Sequence, residues 1–292
     1  MHTKATISHL SHYNTTGHTI DMLRLDLVHP VVSGNKWYKL SGYLQDALSK
    51  NAGQVASFGG PYSNHIVALA YVGKELGLQT IGYIRSNKDE PLTPSLEEAL
   101  SYGMQLEFLG RTLFQEIKAS LLREEKTSNT YFIDEGGYGK LGAIGFASIA
   151  EEVDINSYDY ILAAVGTGTM LAGLISISLG HQKIIGIPVL KNEGTIRSEI
   201  NSILPCEPKP YELLYQFHQG GYAKTTNEQI QCMNQFWEQT NIATDIVYTG
   251  KLATAFETLL REKYFEKGKK ILLIHSGGLQ GNRSLASGVL RF

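Results

Sequence analysis

Lys36 stands in the stretch "SGNKWYKLSGYL", just after a glycine and an asparagine and just before an apolar pattern of helical spacing. A lysine in the first turn of a helix lies at the positive end of the helix dipole, and that field together with partial burial lowers its pKa. Such a lysine adds little to stability. A neutral amine, however, attacks carbonyls and forms Schiff bases. On position alone, an ordinary solvated lysine at a helix start is the alternative. Trp37, Leu40, Leu44 and Leu48, with Ala47 beside them, form the stripe expected to pack this helix on a core, and Ser33 or Asn35 is expected to cap it.

Two further clusters have chemistry to offer. In "SFGGPYSNHIVALA", Gly59 and Gly60 end an expected strand, and Ser63, Asn64 and His65 crowd the start of the next helix. Free backbone N–H groups there favour an anion such as a substrate carboxylate. Simple capping by Ser63 or Asn64, with His65 turned to solvent, explains the same residues. In "VGTGTMLAGL", Gly166, Thr167, Gly168 and Thr169 follow the run "YILAAV" and precede a helix of small residues. Glycine amides and two hydroxyls there outline a phosphate cradle without any cationic side chain. It is not a Walker loop, since no Lys-Ser or Lys-Thr follows, and Leu171 occupies the third-glycine position of the dinucleotide pattern. A tight turn with no ligand is the alternative. "DIVYTGKLATAF" sets Tyr248 and Thr249 between an expected apolar strand and a glycine, and "LLIHSGGLQG" sets His275 and Ser276 at another strand end. A rim tyrosine and a hydrogen-bonded core histidine are the plainer readings of those two.

The elements that must hold these residues repeat one scheme: a short apolar run, a glycine cluster, then a helical pattern such as Ile66, Leu69, Gly73 and Leu76. That alternation is the α/β scheme of buried parallel strands, in which ligands gather at the carboxyl ends. Residues 51–152, with "TIGYIRS" and "QLEFLG", hold an alternation of their own and are expected to form a smaller lobe within a larger one made of 1–50 and 153–292. The 292 residues are 42% apolar and 18% charged with net charge -2, which offers no basic surface for nucleic acid. Small molecules or identical subunits are the expected partners. Cys206 and Cys232 carry neither pairing nor metal spacing, so a reducing cytoplasm is expected. Neither a secretory h-region nor a membrane-spanning run is found, so secretion and membrane insertion are not expected.

Taken together, a phosphate loop, a pre-set lysine and a serine-asparagine anion site suggest pyridoxal 5'-phosphate. The set "SGNKWYKL", "GGPYSNH", "VGTGTMLAGL", "VYTGK" and "HSGG", in this order, resembles the 1-aminocyclopropane-1-carboxylate deaminase/D-cysteine desulfhydrase family, pyridoxal phosphate enzymes of fold type II. The resemblance implies a three-layer, parallel-sheet, two-domain α/β fold like that of the tryptophan synthase β chain, a cleft site between the domains, and a homodimer. It also implies that Lys36 is the Schiff-base lysine and later the base. Asn64 would face the cofactor's phenolic oxygen, and Gly166, Thr167, Gly168, Thr169 and Met170 its phosphate. Ser63, Asn64 and His65 would face the substrate; Ser63 would also handle protons, with Tyr248 and Tyr222 as site tyrosines.

Departures from the family pattern point to a branch. The deaminases carry a glutamate where this chain has Thr249 and a leucine where it has Ser276. The expected activity is therefore α,β-elimination on a D-amino acid, D-cysteine giving pyruvate, sulfide and ammonia, with 1-aminocyclopropane-1-carboxylate deamination as the alternative. Tyr62 replaces a glutamine common in relatives, which leaves the substrate open. Outside the family, a nicotinamide-binding oxidoreductase with Glu193 as its ribose ligand and a non-catalytic small-molecule binder are the rival readings.

Overall fold

The structure is a computed structural model that describes residues 3–123, 129–191 and 194–292. Its strands fall into two sheets. The larger has the order β1 (Thr6–His9), β2 (Thr19–Arg24), β10 (Lys270–His275), β7 (Tyr160–Val165), β8 (Lys183–Pro188), β9 (Glu212–Leu213). Only the edge pair β1 and β2 is antiparallel. The smaller has the order β5 (Gln105–Leu109), β4 (Gln79–Arg85), β3 (Gln54–Gly59), β6 (Thr130–Ile133), all parallel.

Alternate residues of the larger sheet feed two apolar layers. Leu23, Ile161, Ala163, Leu272 and Ile274 face one core, with α5 (Lys140–Ala147), α6 (Thr169–Ile177) and α7 (Ile196–Ser202). Ile20, Met22, Leu162, Ile187, Ile271 and Leu273 face the other, with α8 (Asn227–Thr240) and α9 (Thr249–Arg261). A strand buried on both faces has no polar side to show, which is why "YILAAV" and "ILLIH" read as continuous apolar runs. The fold class is as expected from the sequence: α/β layers around parallel sheets, with the ends of β7 and β10 and of β3 opening toward shared loops.

Around the smaller sheet lie α2 (Asn64–Leu76), α3 (Pro94–Ser101) and α4 (Arg111–Arg123). Helix α1 (Asn35–Ser49) buries Leu40, Tyr43, Leu44 and Ala47 in that sheet's core. The expected stripe is corrected at its end: Leu48 is 46% exposed, because it lies in the last turn beyond the reach of α2 and the sheet. Leu76 at the end of α2 is likewise exposed, while Ile66, Leu69 and Gly73 are buried. Neither Ser33 nor Asn35 caps α1. Gly34 holds the cap position at φ 75°, where a side chain would collide with the Ser276 carbonyl, and the Ser33 hydroxyl donates instead to the Asp26 carbonyl. The expected strand before Tyr248 is also absent. Residues 246–248 form a turn leading into α9, since the buried Asp245 carboxylate gathers the Val247 and Tyr248 N–H groups while the Ile246 N–H donates to the Asn282 side chain.

Candidate functional site

The site is assembled from loops that meet where the two sheets face each other. Gly34 packs against Ser276 and Gly277 at the end of β10, and the Asn35 N–H donates to the Ser276 carbonyl at 2.9 Å. This contact fixes the start of α1, so Lys36 points across the cleft, where its Nζ lies 3.4 Å from the Gly136 carbonyl. Gly136 in turn lies against Thr167, and Gly166 lies under the Tyr248 ring. From the other sheet, the Asn64 amide donates to the Gly278 carbonyl at 3.2 Å. Lys36, Asn64, the Gly166–Met170 loop, Tyr248 and Ser276 are thereby brought to neighbouring loops of one cleft.

Burial pulls the Lys36 amine down from 10.5 to about 8. Two flanking groups complete the surroundings of Lys36: Lys39, which the sequence reading passed over, and His65, expected to face the substrate, with a solvent-facing ring as the alternative. Lys39, one turn on, is 4% exposed, and burial followed by repulsion from Lys36 holds its amine well below the usual lysine range. His65 is 1% exposed rather than turned to solvent; its Nε2 pairs with the Ser57 hydroxyl at 2.8 Å, and burial with the two lysines nearby keeps the ring neutral. A second lysine at i+3 in "NKWYKL" was the available signal for Lys39. The Lys39 Cβ and the His65 ring flank Gly137, whose carbonyl approaches Gly142 together with the Thr169 side chain.

The phosphate loop has the form of an anion site. Gly168 is left-handed at φ 81°, and a side chain there would strike Ile200. The α6 N-terminus carries no side-chain cap and no acidic residue in its first turn, and the Thr167 and Thr169 hydroxyls lie 3.1 Å apart. Met170 is buried in the core behind them. At α2, by contrast, Ser63 accepts the Ile66 N–H as a true N-cap, so the capping reading holds for Ser63. The Asn64 Oδ1 is buried with no partner among the described residues.

The tyrosine pair is held by groups the sequence reading passed over. Asp245 is fully buried and accepts from the N–H groups of Val247, Tyr248 and Thr249 and from the Thr249 hydroxyl at 2.8 to 3.1 Å. Burial raises its carboxyl above the usual range in spite of these bonds. Lys251 is also fully buried; its Nζ donates to the Gly221 carbonyl at 2.6 Å and the Val189 carbonyl at 3.2 Å, and burial brings it down to about 8. It ties the Gly221–Tyr222 segment over α9, where the Tyr222 and Tyr248 rings meet edge to face at 6.3 Å. Burial first, then proximity to Tyr222, raises the Tyr248 phenol well above its usual value. His275 is a core residue: Nε2 donates to the Ala243 carbonyl and Nδ1 accepts from Gly277, which shapes the glycine turn beneath Gly34.

Comparison with known proteins decides the family. The profile described as "Pyridoxal-phosphate dependent enzyme" matches residues 15–277. The chain belongs to the pyridoxal-phosphate-dependent enzymes. Within them it falls in the 1-aminocyclopropane-1-carboxylate deaminase/D-cysteine desulfhydrase family. It is 30% identical to a Thermotoga maritima protein with a provisional 1-aminocyclopropane-1-carboxylate deaminase name, over 91% of this chain and 90% of that one. It is 26% identical to the mitochondrial bifunctional D-cysteine desulfhydrase/1-aminocyclopropane-1-carboxylate deaminase of Arabidopsis thaliana, covering 88% and 72%. A solved structure of an ACC deaminase homologue superposes with TM-score 0.81 at 29% identity, covering 96% and 91%. An aspartate racemase at 16% identity and TM-score 0.69 shares the fold. The chain is therefore a pyridoxal-phosphate-dependent enzyme of fold type II. The oxidoreductase and silent-binder readings fall away, and Glu193, on which the former drew, lies outside the described residues. No helix among the described residues is long and apolar enough to cross a membrane.

Three features of the site fit the cofactor: an uncapped helix start with paired hydroxyls, a desolvated lysine, and the orphaned Asn64 Oδ1.

Proposed function

We propose that this enzyme catalyses α,β-elimination from a small D-amino acid with a β-leaving group, converting D-cysteine and water to pyruvate, hydrogen sulfide and ammonia. The observation that carries this reading is the pair of hydroxyls standing where the deaminases differ. The Thr249 hydroxyl is consumed by Asp245, whereas the Ser276 hydroxyl has no partner among the described residues. Ser276 would then hydrogen-bond the cofactor's ring nitrogen without holding a full proton on it, which suits departure of a good leaving group better than opening of an unactivated ring.

Bound pyridoxal phosphate would supply the electron sink for the carbon that loses its proton. Lys36 would hold the cofactor through Nζ and, once displaced by substrate, take the α-proton. An amine brought to about pKa 8 gives up its own proton readily enough near neutral pH to do so. The α6 amides from Gly168 to Met170, the Gly166 and Thr167 backbone and the Thr167 and Thr169 hydroxyls would hold the phosphate, and Asn64 the phenolic oxygen. Ser63, Asn64 and the α2-start amides would seat the substrate carboxylate, with His65 behind them. Tyr248, with Tyr222 against it, would orient the substrate and assist the leaving group. The two sheets support reading 1–50 with 153–292 as the larger lobe and 51–152 as the smaller, α1 serving as their common wall. A cytoplasmic homodimer completes the reading, with sedimentation equilibrium as its check.

Deamination of 1-aminocyclopropane-1-carboxylate is the second reading, and the names of the Thermotoga and Rhizobium radiobacter relatives favour it. Incubating the cofactor-loaded protein with D-cysteine, L-cysteine, D-serine and the cyclopropane acid, then assaying sulfide, 2-oxo acid and ammonia, separates the two. Sulfide from D-cysteine is expected. Ammonia from the cyclopropane acid alone would move the assignment to the deaminases. Lys36→Ala is expected to lower kcat by about 10³-fold or more and to abolish the absorbance band of the lysine-bound cofactor.

A further inference from the structure

The loop proposed to seat the substrate has a cationic neighbour that the reading of the site leaves unused. Ile84 of β4 pairs with Gly59 of β3 and is buried in the core shared with α2. Arg85, the next residue, therefore leaves β4 on the opposite face, where its guanidinium stands 5.6 Å from the centre of the Phe114 ring in α4. Its Nη2 lies 3.9 Å from the point a side chain on Gly60 would occupy, in the loop that leads to Ser63. Burial raises the Tyr222 phenol, and the Arg85 charge reaches that phenol and works against the rise. Arg85 thus stands between the Gly60 loop and the site tyrosines.

Beyond it, at the carboxyl ends of β4 and β5, opens a cavity of about 460 Å³ lined by Arg85, Ser86, Asn87, Glu90, Gly110 and Arg111. The size suits a small ligand, and strand ends are where α/β sheets gather them. Neither arginine has a carboxylate partner among the described residues. Glu90, the acid in the wall, is taken up by the Ser86 hydroxyl at 2.7 Å and the Asn87 amide at 2.9 Å. Glu135, whose charge also acts on Tyr222, lies 3.7 Å from Lys118. Two guanidinium groups thus face one occupied carboxylate. A guanidinium steadied on an aromatic ring and free of a carboxylate presents a planar fork that fits a carboxylate, phosphate or sulfonate.

We infer that Arg85, with Arg111 across the cavity, binds an anionic β-group of a D-amino acid and gives the site a second activity, elimination of an oxyanion. With O-phospho-D-serine, the bond from the β-carbon to the ester oxygen breaks and its electron pair leaves on phosphate. Lys36 takes the α-proton, and water displaces the amino group, so the ester and water give pyruvate, ammonia and phosphate. The inference rests on the proposed elimination site, and its test separates the two ideas.

Cofactor-loaded wild type, Arg85→Gln and Arg85→Lys are titrated with D-aspartate and D-asparagine, near-isosteres that differ in the charge of the β-group and bear no leaving group. Binding is followed by calorimetry and by the cofactor's absorbance. Wild type is expected to hold D-aspartate about 10-fold or more tighter than D-asparagine. Arg85→Gln should bring the two within about 2-fold, and Arg85→Lys, which keeps the charge without the fork, should retain part of the preference. Phosphate release from O-phospho-D-serine should lose about 10-fold or more in kcat/KM in Arg85→Gln relative to sulfide release from D-cysteine by the same variant. No preference for D-aspartate in wild type, or equal losses for both ligands in Arg85→Gln, which would put Arg85 on the α-carboxylate, would overturn the inference. Loaded wild type that binds neither ligand and turns over no D-amino acid would overturn the reading of the site as well.

Discussion

Helices α6 and α9 begin side by side in one cleft, with Gly166 under the Tyr248 ring, yet their first turns are finished in opposite ways. Helix α9 brings its own anion. Asp245 collects three backbone N–H groups and a hydroxyl, so nothing at that terminus is left for a ligand, and the turn's rigidity goes into placing Tyr248. Helix α6 brings none. Gly168 leaves its N–H groups uncapped, and small or hydroxyl side chains surround them. A helix start is an anion site only when the chain does not supply the anion itself.

That contrast can be broken from either side. The largest effect is expected from giving α6 an anion of its own. Thr167→Asp sets a carboxylate against the cofactor phosphate, a repulsion of about 4 kcal/mol at close range in a partly screened site, so affinity in an apoprotein titration should fall by at least about 10²-fold. Taking the anion from α9 comes next. Asp245→Ala strands buried donors and should cost about 3 kcal/mol in urea unfolding, with kcat falling as Tyr248 loses its seat; an unchanged midpoint would count against the cap.

Lys251, which holds Tyr222 over the same terminus, sharpens the comparison through pH. Its folded pKa of about 8 lies below the ordinary 10.5, so between those values the unfolded chain binds the extra proton and stability rises with pH. The slope this group contributes reaches at most about 1.4 kcal/mol per pH unit. Lys251→Met should flatten the rise by that share when unfolding is measured at pH 7, 9 and 10.5; an undiminished slope would show that Lys251 keeps its proton throughout. Ser63→Ala, at the third helix start of the cleft, should cost only about 1 kcal/mol, since one N–H loses its cap, and should raise KM more than it lowers kcat.

Much of the architecture was readable because its causes are local. "YILAAV" and "ILLIH" are apolar on both faces and could only be interior strands, and the glycines after them mark where ligands collect. The motif residues were likewise legible singly. What escaped notice were their supports. Asp245 is three residues from Tyr248 and passed as part of a strand, although an acid just ahead of "VYTG" fits a helix cap. Ser57 and Ile133, which set the His65 proton, are 76 residues apart and carry no motif.

From its sequence alone this chain was already committed to an α/β fold, to glycine-shaped loops at strand ends and to a lysine at a helix threshold, since periodicity and turn chemistry act over a few residues. Only the tertiary structure decided which lysines are stripped of water, which helix start stays open, and which nitrogen of a buried histidine is left bare. Desolvation and proton placement depend on neighbours that are distant along the chain, and no local pattern records them.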